Sequence, residues 1–592
     1  MLKQIGVGTE VFHKLIEENK YYVDKTALIR TVFLENGADV LLITRPRRFG
    51  KTLTMSTFYD FLALNPENPG DVSRQENWFR DTEIFSDREF CRNYMGKFPV
   101  IFLTFKSVAS SNFNDSYNQL AHVVWLLARN FSYLKSSSAL DDEDRESFNN
   151  LLSIGHLKER SDKTDLTNAL LTLTNLLYKH HKIEPVLLID EYDVPIAKAA
   201  RYGYYRDMVD VIAPFLSAGL KGNTNMKRAA VTGCLRAAKE SIFTGLNNFL
   251  NCTVLDSGDD ELSAGIGFTE EETNAALSYY GLAEYRDKVR QNYDGYNFGT
   301  VHMHCPWDVM SFCNDNYRKV GHPEKIILTD NYWINTSGND VIEEFMGYIQ
   351  PEDVDKMQDL LDGKRVTAEV RKALCYGDLS THDINDFWTL LLYTGYLTFD
   401  PSVIERKDDA FLYQLFIPNQ EIRSCFKSRI HGFFSRNPVM KNHAADFIKS
   451  LFSGNAAETQ EHLSSLLAKY VSIRDFATNA PKENYYHGFI NGLLINGVSL
   501  IQEQKSNFES GEGYIDLIIK SAGNKRIIVI LELKQTEDEN RDTVLIARSA
   551  IDQILDKKYA DPYLERNDID GVYAFGICFC KKSCSAAART LK

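Results

Sequence analysis

Three groups of residues in this 592-residue chain have the types and spacing for phosphate chemistry. The first is Gly50-Lys51-Thr52, which closes the run Val40-Leu-Leu-Ile-Thr-Arg-Pro-Arg-Arg-Phe-Gly-Lys-Thr52. An apolar strand leading into a tight turn, followed by a helix whose first N–H groups lack intrahelical partners, makes an anion cradle. In such a cradle Gly50 lets the backbone come close, Lys51 reaches the β- and γ-phosphates of a nucleotide, and the Thr52 hydroxyl ligates Mg²⁺. Arg48 belongs to the same basic turn and is counted with the nucleotide-binding set. The usual pattern is G-x-x-x-x-G-K-[ST], and here Arg45 stands at its first glycine. The competing reading is a strand-to-helix connection with solvated arginines.

The second group is Asp190-Glu191, at the end of Pro185-Val-Leu-Leu-Ile-Asp-Glu-Tyr-Asp193. An apolar run ending in adjacent carboxylates is the pattern of a central parallel strand that stops at a catalytic edge. Asp190 would hold Mg²⁺ and Glu191 would orient the hydrolytic water. Further on, Arg228-Ala-Ala-Val-Thr-Gly233 reads as a strand whose Thr232 could sense a γ-phosphate, and Arg236 could bring positive charge to the transition state. The third group lies near the C-terminal end. Gly513-Tyr-Ile-Asp-Leu-Ile-Ile-Lys520 and Arg526-Ile-Ile-Val-Ile-Leu-Glu-Leu-Lys534 are two β-rich runs separated by a turn signal. Period-two alternation puts Glu532 and Lys534 on one face, and a partner strand brings Asp516 beside them. Asp516 and Glu532 can bind Mg²⁺ or Mn²⁺, the Leu533 carbonyl can add a ligand, and Lys534 can orient a water or stabilise phosphate charge. The competing reading is an exposed strand face with a cross-strand ion pair.

Elements must carry these residues. Periodicity predicts helices over 53–64 and 118–134, strands over 99–105, 185–190, 228–233 and 253–256, and a solvated connector over 135–165. Thr269 with Glu270, Glu271 and Glu272 opens a mostly helical stretch to about residue 480. A strand over 499–507 follows, and a later helix contains Gln553. Hydrophobic residues at 44% and charged residues at 25% are ordinary globular proportions. The net charge of −14 argues against nonspecific coating of nucleic acid, so any such site must be local. Residues 481–592 carry 15 basic and 16 acidic side chains, which leaves that segment near neutral. The ten cysteines are scattered, and the trio His302, His304 and Cys305 lacks zinc-motif spacing. With no signal-like N-terminus and no long apolar run, the expectation is a cytoplasmic protein without a membrane partner.

With these centres in view, the chain resembles a prokaryotic family of AAA-ATPase-like proteins that carry a C-terminal PD-(D/E)XK nuclease-superfamily domain. The carriers are Tyr22-Val-Asp-Lys-Thr26, Arg45-Pro-Arg-Arg-Phe-Gly-Lys-Thr52, Leu188-Ile-Asp-Glu-Tyr-Asp193, Thr232-Gly233, Tyr293-Asp-Gly-Tyr296, the 332–338 stretch, Gly395-Tyr-Leu-Thr398, and Asp516 with Glu532-Leu-Lys534. In that family the Arg-Pro-Arg-Arg-Phe-Gly-Lys-Thr form stands in the Walker A position. The resemblance implies Lys51 and Thr52 as nucleotide and metal ligands and Asp190 with Glu191 as the Walker B pair. It implies Glu483 as a helix carboxylate assisting the nuclease site, with Glu503 competing for that role, and Gln553 as a supporting residue.

The expected fold class is therefore α/β: an N-terminal P-loop NTPase-like parallel sheet with flanking helices (1–268), a mostly helical middle (269–480), and a C-terminal α/β restriction-endonuclease-like domain (481–592). The expected function is ATP binding and hydrolysis coupled to a metal-dependent nuclease. The cofactors are ATP and Mg²⁺, with Mn²⁺ as an option at the nuclease site. The partner is nucleic acid, DNA ahead of RNA, and self-association stays open. Two alternatives are a nucleotide-driven switch whose nuclease-like domain binds without cutting, and a phosphohydrolase with a structural C-terminal domain.

Overall fold

The computed structural model describes residues 2–35, 38–235, 249–255, 260–322, 324–333, 363–372, 383–407, 410–426, 438–470, 500–510, 513–523, 525–536, 541–580 and 583–592, with isolated positions between them. The chain divides into two compact units, residues 1–339 with 363–423 and residues 340–362 with 424–592. None of the helices among the described residues is long and apolar enough to cross a membrane.

The first unit is built on a five-stranded parallel sheet ordered β2-β3-β4-β1-β5. Its strands are β1 (Val40–Thr44), β2 (Val100–Thr104), β3 (Val186–Asp190), β4 (Arg228–Gly233) and β5 (Phe249–Cys252). Every residue of β1 and β3 is buried, as expected of strands covered on both faces. The order has one consequence for chemistry. Because β4 lies between β1 and β3, a residue at its carboxyl end sits between the basic turn and Asp190. Helices Lys51–Leu62, Phe113–Arg129, Ala169–His181, Val194–Tyr202 and Tyr205–Leu220 connect the strands. Phe113–Arg129 starts earlier than periodicity predicts because Asn112 caps it, accepting from Asp115 N. The fifth strand ends at Cys252, just before the 253–256 stretch expected to form it.

The 135–165 stretch is not a solvated connector. It contains the helix Asp142–Leu151, opened by a reciprocal capping box between Asp141 and Asp144, and it buries Leu140, Phe148, Leu151 and Leu157. Its apolar residues are sparse and its polar face dense, so composition concealed an amphipathic turn-rich segment. Beyond residue 268 the unit continues with helices Glu270–Tyr279, Arg286–Tyr293 and Pro306–Asn316, whose apolar faces share one core. A capping box between Thr269 and Glu272 opens the first of them. Between the last two lies an antiparallel hairpin of β6 (Tyr296–Phe298) and β7 (Val301–Met303). Helix Ile384–Thr394 and a small antiparallel sheet of β8 (Val366–Glu369), β9 (Thr398–Lys407) and β10 (Ala410–Phe416) complete the unit.

The second unit is a five-stranded mixed sheet in sequential order: β11 (Ile501–Ser510), β12 (Gly513–Ser521), β13 (Ile527–Gln535), β14 (Gly571–Cys580) and β15 (Ser583–Thr590). All pairings are antiparallel except β13 with β14. Those two are joined through helix Thr543–Asp556, a parallel pair needing such a crossover. Alternation splits the sheet between two cores. Leu517, Ile519, Val529, Leu531 and Leu533 pack with Phe447, Leu451, Leu463 and Leu467 from helices Pro438–Phe452 and Ala456–Tyr470. Ile518, Ile528 and Ile530 pack with Ile551 and Ile554 of helix Thr543–Asp556. Even-numbered positions of β13, Glu532 and Lys534 among them, therefore share the side of that helix.

Candidate nucleotide and metal sites

The basic turn spans residues 45–50, between β1 and helix Lys51–Leu62. Two left-handed residues shape it, Arg48 at φ 72° and Gly50 at φ 96°. At Gly50 a side chain would meet no atom within 4 Å, so glycine answers the backbone conformation and leaves the cradle wall open. Arg45 is fully buried. Its guanidinium donates to Thr44 O at 2.9 Å, Cys252 Sγ at 3.1 Å and Leu262 O at 3.2 Å, and lies 4.6 Å from the Phe298 ring centroid. Arg45 thus ties the start of the turn to β5, to the helical residues after it and to the β6–β7 hairpin. Arg48 stacks on Trp307 at 3.8 Å, which commits its guanidinium to an aromatic face. Phe49, between them and Gly50, packs its ring against Tyr296 and Phe298 at 5.1 and 5.0 Å.

Lys51 is 6% exposed, and its ammonium donates to the carbonyls of Arg45 and Pro46 at 3.0 Å each. It sits within the turn, as a phosphate-binding lysine must. The next residue reaches the second group: Thr52 Oγ1 donates to Asp190 Oδ2 at 2.8 Å, and Thr232 Oγ1 donates to Asp190 Oδ1 at 2.5 Å. The strand order explains this meeting, since β4 delivers Thr232 beside Asp190. Glu191 takes a left-handed conformation at φ 52°, just past the end of β3. Burial, and then the neighbouring Asp190, raise its carboxyl above the ordinary range.

Asp193 is a positioning residue that the sequence reading passed over. Its Oδ2 accepts from Cys234 N at 2.9 Å, Leu235 N at 3.0 Å and Tyr376 Oη at 3.1 Å, while Tyr192 Oη donates to Leu235 O at 2.6 Å. Together they fix the chain as it leaves β4 toward Arg236. Arg236 itself lies outside the described residues. The signal available in sequence was the second aspartate of Asp-Glu-Tyr-Asp, three positions after Asp190. Tyr21 packs on Tyr279 and Tyr280, and Tyr22 on Phe12. A hydroxyl and a carboxylate converging beside a buried lysine form an oxygen-donor set that fits Mg²⁺ with a polyphosphate.

In the second unit the register Leu517↔Leu531, carried one step further, sets Asp516 opposite Glu532. Asp516 Oδ2 accepts from Leu533 N at 2.7 Å. Glu532 is 3% exposed, and its Oε1 receives both Lys534 Nζ, at 2.9 Å, and Gln553 Nε2. Like charges directly opposite are unfavourable in a sheet, and the Lys534 ammonium on Glu532 offsets that. The helix carrying Gln553 comes close because residue 576 of β14 is glycine: a Cβ there would lie 1.9 Å from Ala547 O. Two carboxylates with the Leu533 carbonyl nearby form an oxygen-donor set that fits Mg²⁺ or Mn²⁺. Glu503 pairs with Lys520 in the β11–β12 register and contacts Lys505 at 2.7 Å. That is four residues from Asp516 along the strand, about 13 Å, too far to join the set. Glu483 lies outside the described residues.

Residues 6–243 match the family model described as predicted AAA-ATPase, and residues 481–588 match the PD-(D/E)XK nuclease superfamily. A protein of Azotobacter chroococcum mcd 1, described as an uncharacterized protein in the vnfD 5′ region, is 23% identical over 585 residues, spanning 98% of this chain and 97% of its own.

Proposed function

We propose, from an ATPase-like segment and a nuclease-superfamily segment in one chain, that ATP binding and hydrolysis in the first control metal-dependent phosphodiester cleavage in the second, on nucleic acid, DNA ahead of RNA, in the cytoplasm. The observation that carries this reading is that each unit gathers its own chemistry-bearing residues: Lys51, Thr52, Asp190 and Thr232 in one, Asp516, Glu532, Lys534 and Gln553 in the other.

In the first unit the turn's N–H groups and Lys51 receive the phosphates. Thr52 and Asp190 would hold Mg²⁺, which neutralises phosphate charge when bound. Glu191, raised in pKa at the sheet edge, orients the attacking water and takes its proton. Thr232 reports the γ-phosphate, because the oxygen it holds belongs to the carboxylate that also serves Thr52. Arg236 is assigned the charge-stabilising role at the loop that Asp193 anchors. In the second unit Asp516 and Glu532 would hold Mg²⁺ or Mn²⁺, which polarises a water and a phosphate oxygen when bound. Lys534 positions that water and stabilises developing charge, Gln553 keeps Glu532 oriented, and Glu483 assists from outside the described residues. The segments 1–268, 269–480 and 481–592 are assigned to nucleotide turnover, transmission and cutting.

ATP binding and turnover test the first half. Glu191→Gln should retain ATP while turnover falls by about 10²–10⁴-fold, and Lys51→Ala should lose binding. Wild-type turnover in Lys51→Ala would overturn the assignment.

A further inference from the structure

The β6–β7 hairpin carries a cluster that the nucleotide chemistry leaves unused. Asp294 follows helix Arg286–Tyr293, and one of its oxygens, Oδ1, lies 2.8 Å from His302 Nε2 and 3.3 Å from His304 Nε2. The three potential ligand atoms all lie within 4.8 Å of one another. Asp294 and His304 are 4% and 3% exposed, whereas the His302 side chain is 40% exposed.

The hydrogen-bond pattern around His302 sets the orientation of its ring. Asn297 Nδ2 donates to Phe399 O at 2.8 Å, which turns Asn297 Oδ1 to His302 Nδ1 at 3.1 Å. That oxygen can only accept, so Nδ1 carries a proton and Nε2 faces Asp294 Oδ1. A histidine whose far nitrogen donates to a carbonyl while the near one faces a carboxylate is oriented as metal ligands are. For His304, neither ring nitrogen has a hydrogen-bond partner among the described residues. Two imidazole nitrogens and a carboxylate oxygen converge here, and a cation among them, displacing any ring proton they share, would take all three as ligands. Ligands about 2.0–2.2 Å from a tetrahedral centre lie roughly 3.3 Å apart, close to the spacings seen. Arg290 Nε approaches the other carboxylate oxygen, Oδ2, at 3.6 Å and leaves Oδ1 to the histidines. Cys305 stands aside, with Sγ 3.7 Å from Arg48 O.

We propose that Asp294, His302 and His304 form a site for a borderline divalent transition metal of the Zn²⁺ class, with a further position open to water beside His302. Two imidazoles and one carboxylate favour such an ion over Mg²⁺. The ion staples the end of helix Arg286–Tyr293 to a hairpin whose Tyr296 and Phe298 rings hold Phe49 of the basic turn.

The test uses the full chain, stripped with a chelator and titrated with Co²⁺ as a coloured probe, in wild type, His302→Ala and His302→Gln. The oxygen-rich sites persist in all three proteins, so the difference isolates this cluster. The expected result is one more equivalent of Co²⁺ in wild type than in either variant. Its visible absorption is displaced by Zn²⁺ but not by Mg²⁺, and Zn²⁺ raises the wild-type Tm alone. Equal Co²⁺ stoichiometry in wild type and both variants would overturn the proposal and leave an imidazolium–carboxylate pair.

Discussion

At the scale of single residues, Arg45 separates two jobs that a glycine at the same position would leave undone. A glycine there would only shape the turn, whereas Arg45 bonds β5 and the residues after it and sits over Phe298. Arg45→Ala leaves buried acceptors unpaired and a cavity beside the cradle, which should destabilise the first unit by about 2–4 kcal/mol, read as a lower urea midpoint. An unchanged midpoint would show that Arg45 is dispensable. His181, in the last turn of helix Ala169–His181, illustrates a competition of effects. The helix dipole favours an imidazolium there by about 0.3–1 kcal/mol, but burial, and then His180, push its pKa from the ordinary 6.5 down to about 4. Between these values the unfolded chain binds the proton and the native protein does not. The contribution is full above about 6.5 and is lost as pH falls toward about 4. Replacing His181 by Gln, which can still pair with Tyr133 Oη, 2.9 Å from His181 Nε2, should flatten the fall of Tm across that window. A fall identical to wild type would contradict the burial argument.

At the scale of elements, the nuclease-like cluster depends on how closely helix Thr543–Asp556 lies on β14. Gly576→Ala places a methyl group where Ala547 O stands and must lift the helix, taking Gln553 from Glu532. The expected cost is about 1–3 kcal/mol or more, with metal-dependent cleavage lost even where the protein stays folded. Full activity would mean that Gln553 does not position Glu532. Elements of this kind were legible where a strong period met a hard stop. The apolar runs of β1, β3 and β4 and the alternation of β13 could be read directly, and with them the shared face of Glu532 and Lys534. The Asp142–Leu151 helix was hidden because only a few of its residues are apolar. The Asp294, His302 and His304 cluster was hidden because Asp294 comes from the end of a helix on the far side of the hairpin from the two histidines rather than from adjacent sequence. The strand order that sets Thr232 against Asp190 is likewise a property of pairing, which no local pattern encodes.

At the scale of the whole molecule, two chemistries stand in one chain, and in the proposed function the C-terminal cluster cuts nucleic acid under the control of ATP. Purified full-length protein incubated with single- and double-stranded DNA and RNA, with Mg²⁺ or Mn²⁺ and with or without ATP, tests this most directly beside Lys534→Ala and Lys51→Ala. The proposed function requires cleavage that depends on the divalent ion, disappears in Lys534→Ala, and loses its response to ATP in Lys51→Ala. Tight nucleic-acid binding without cleavage under any of these conditions, or cleavage undiminished in Lys534→Ala, would contradict it.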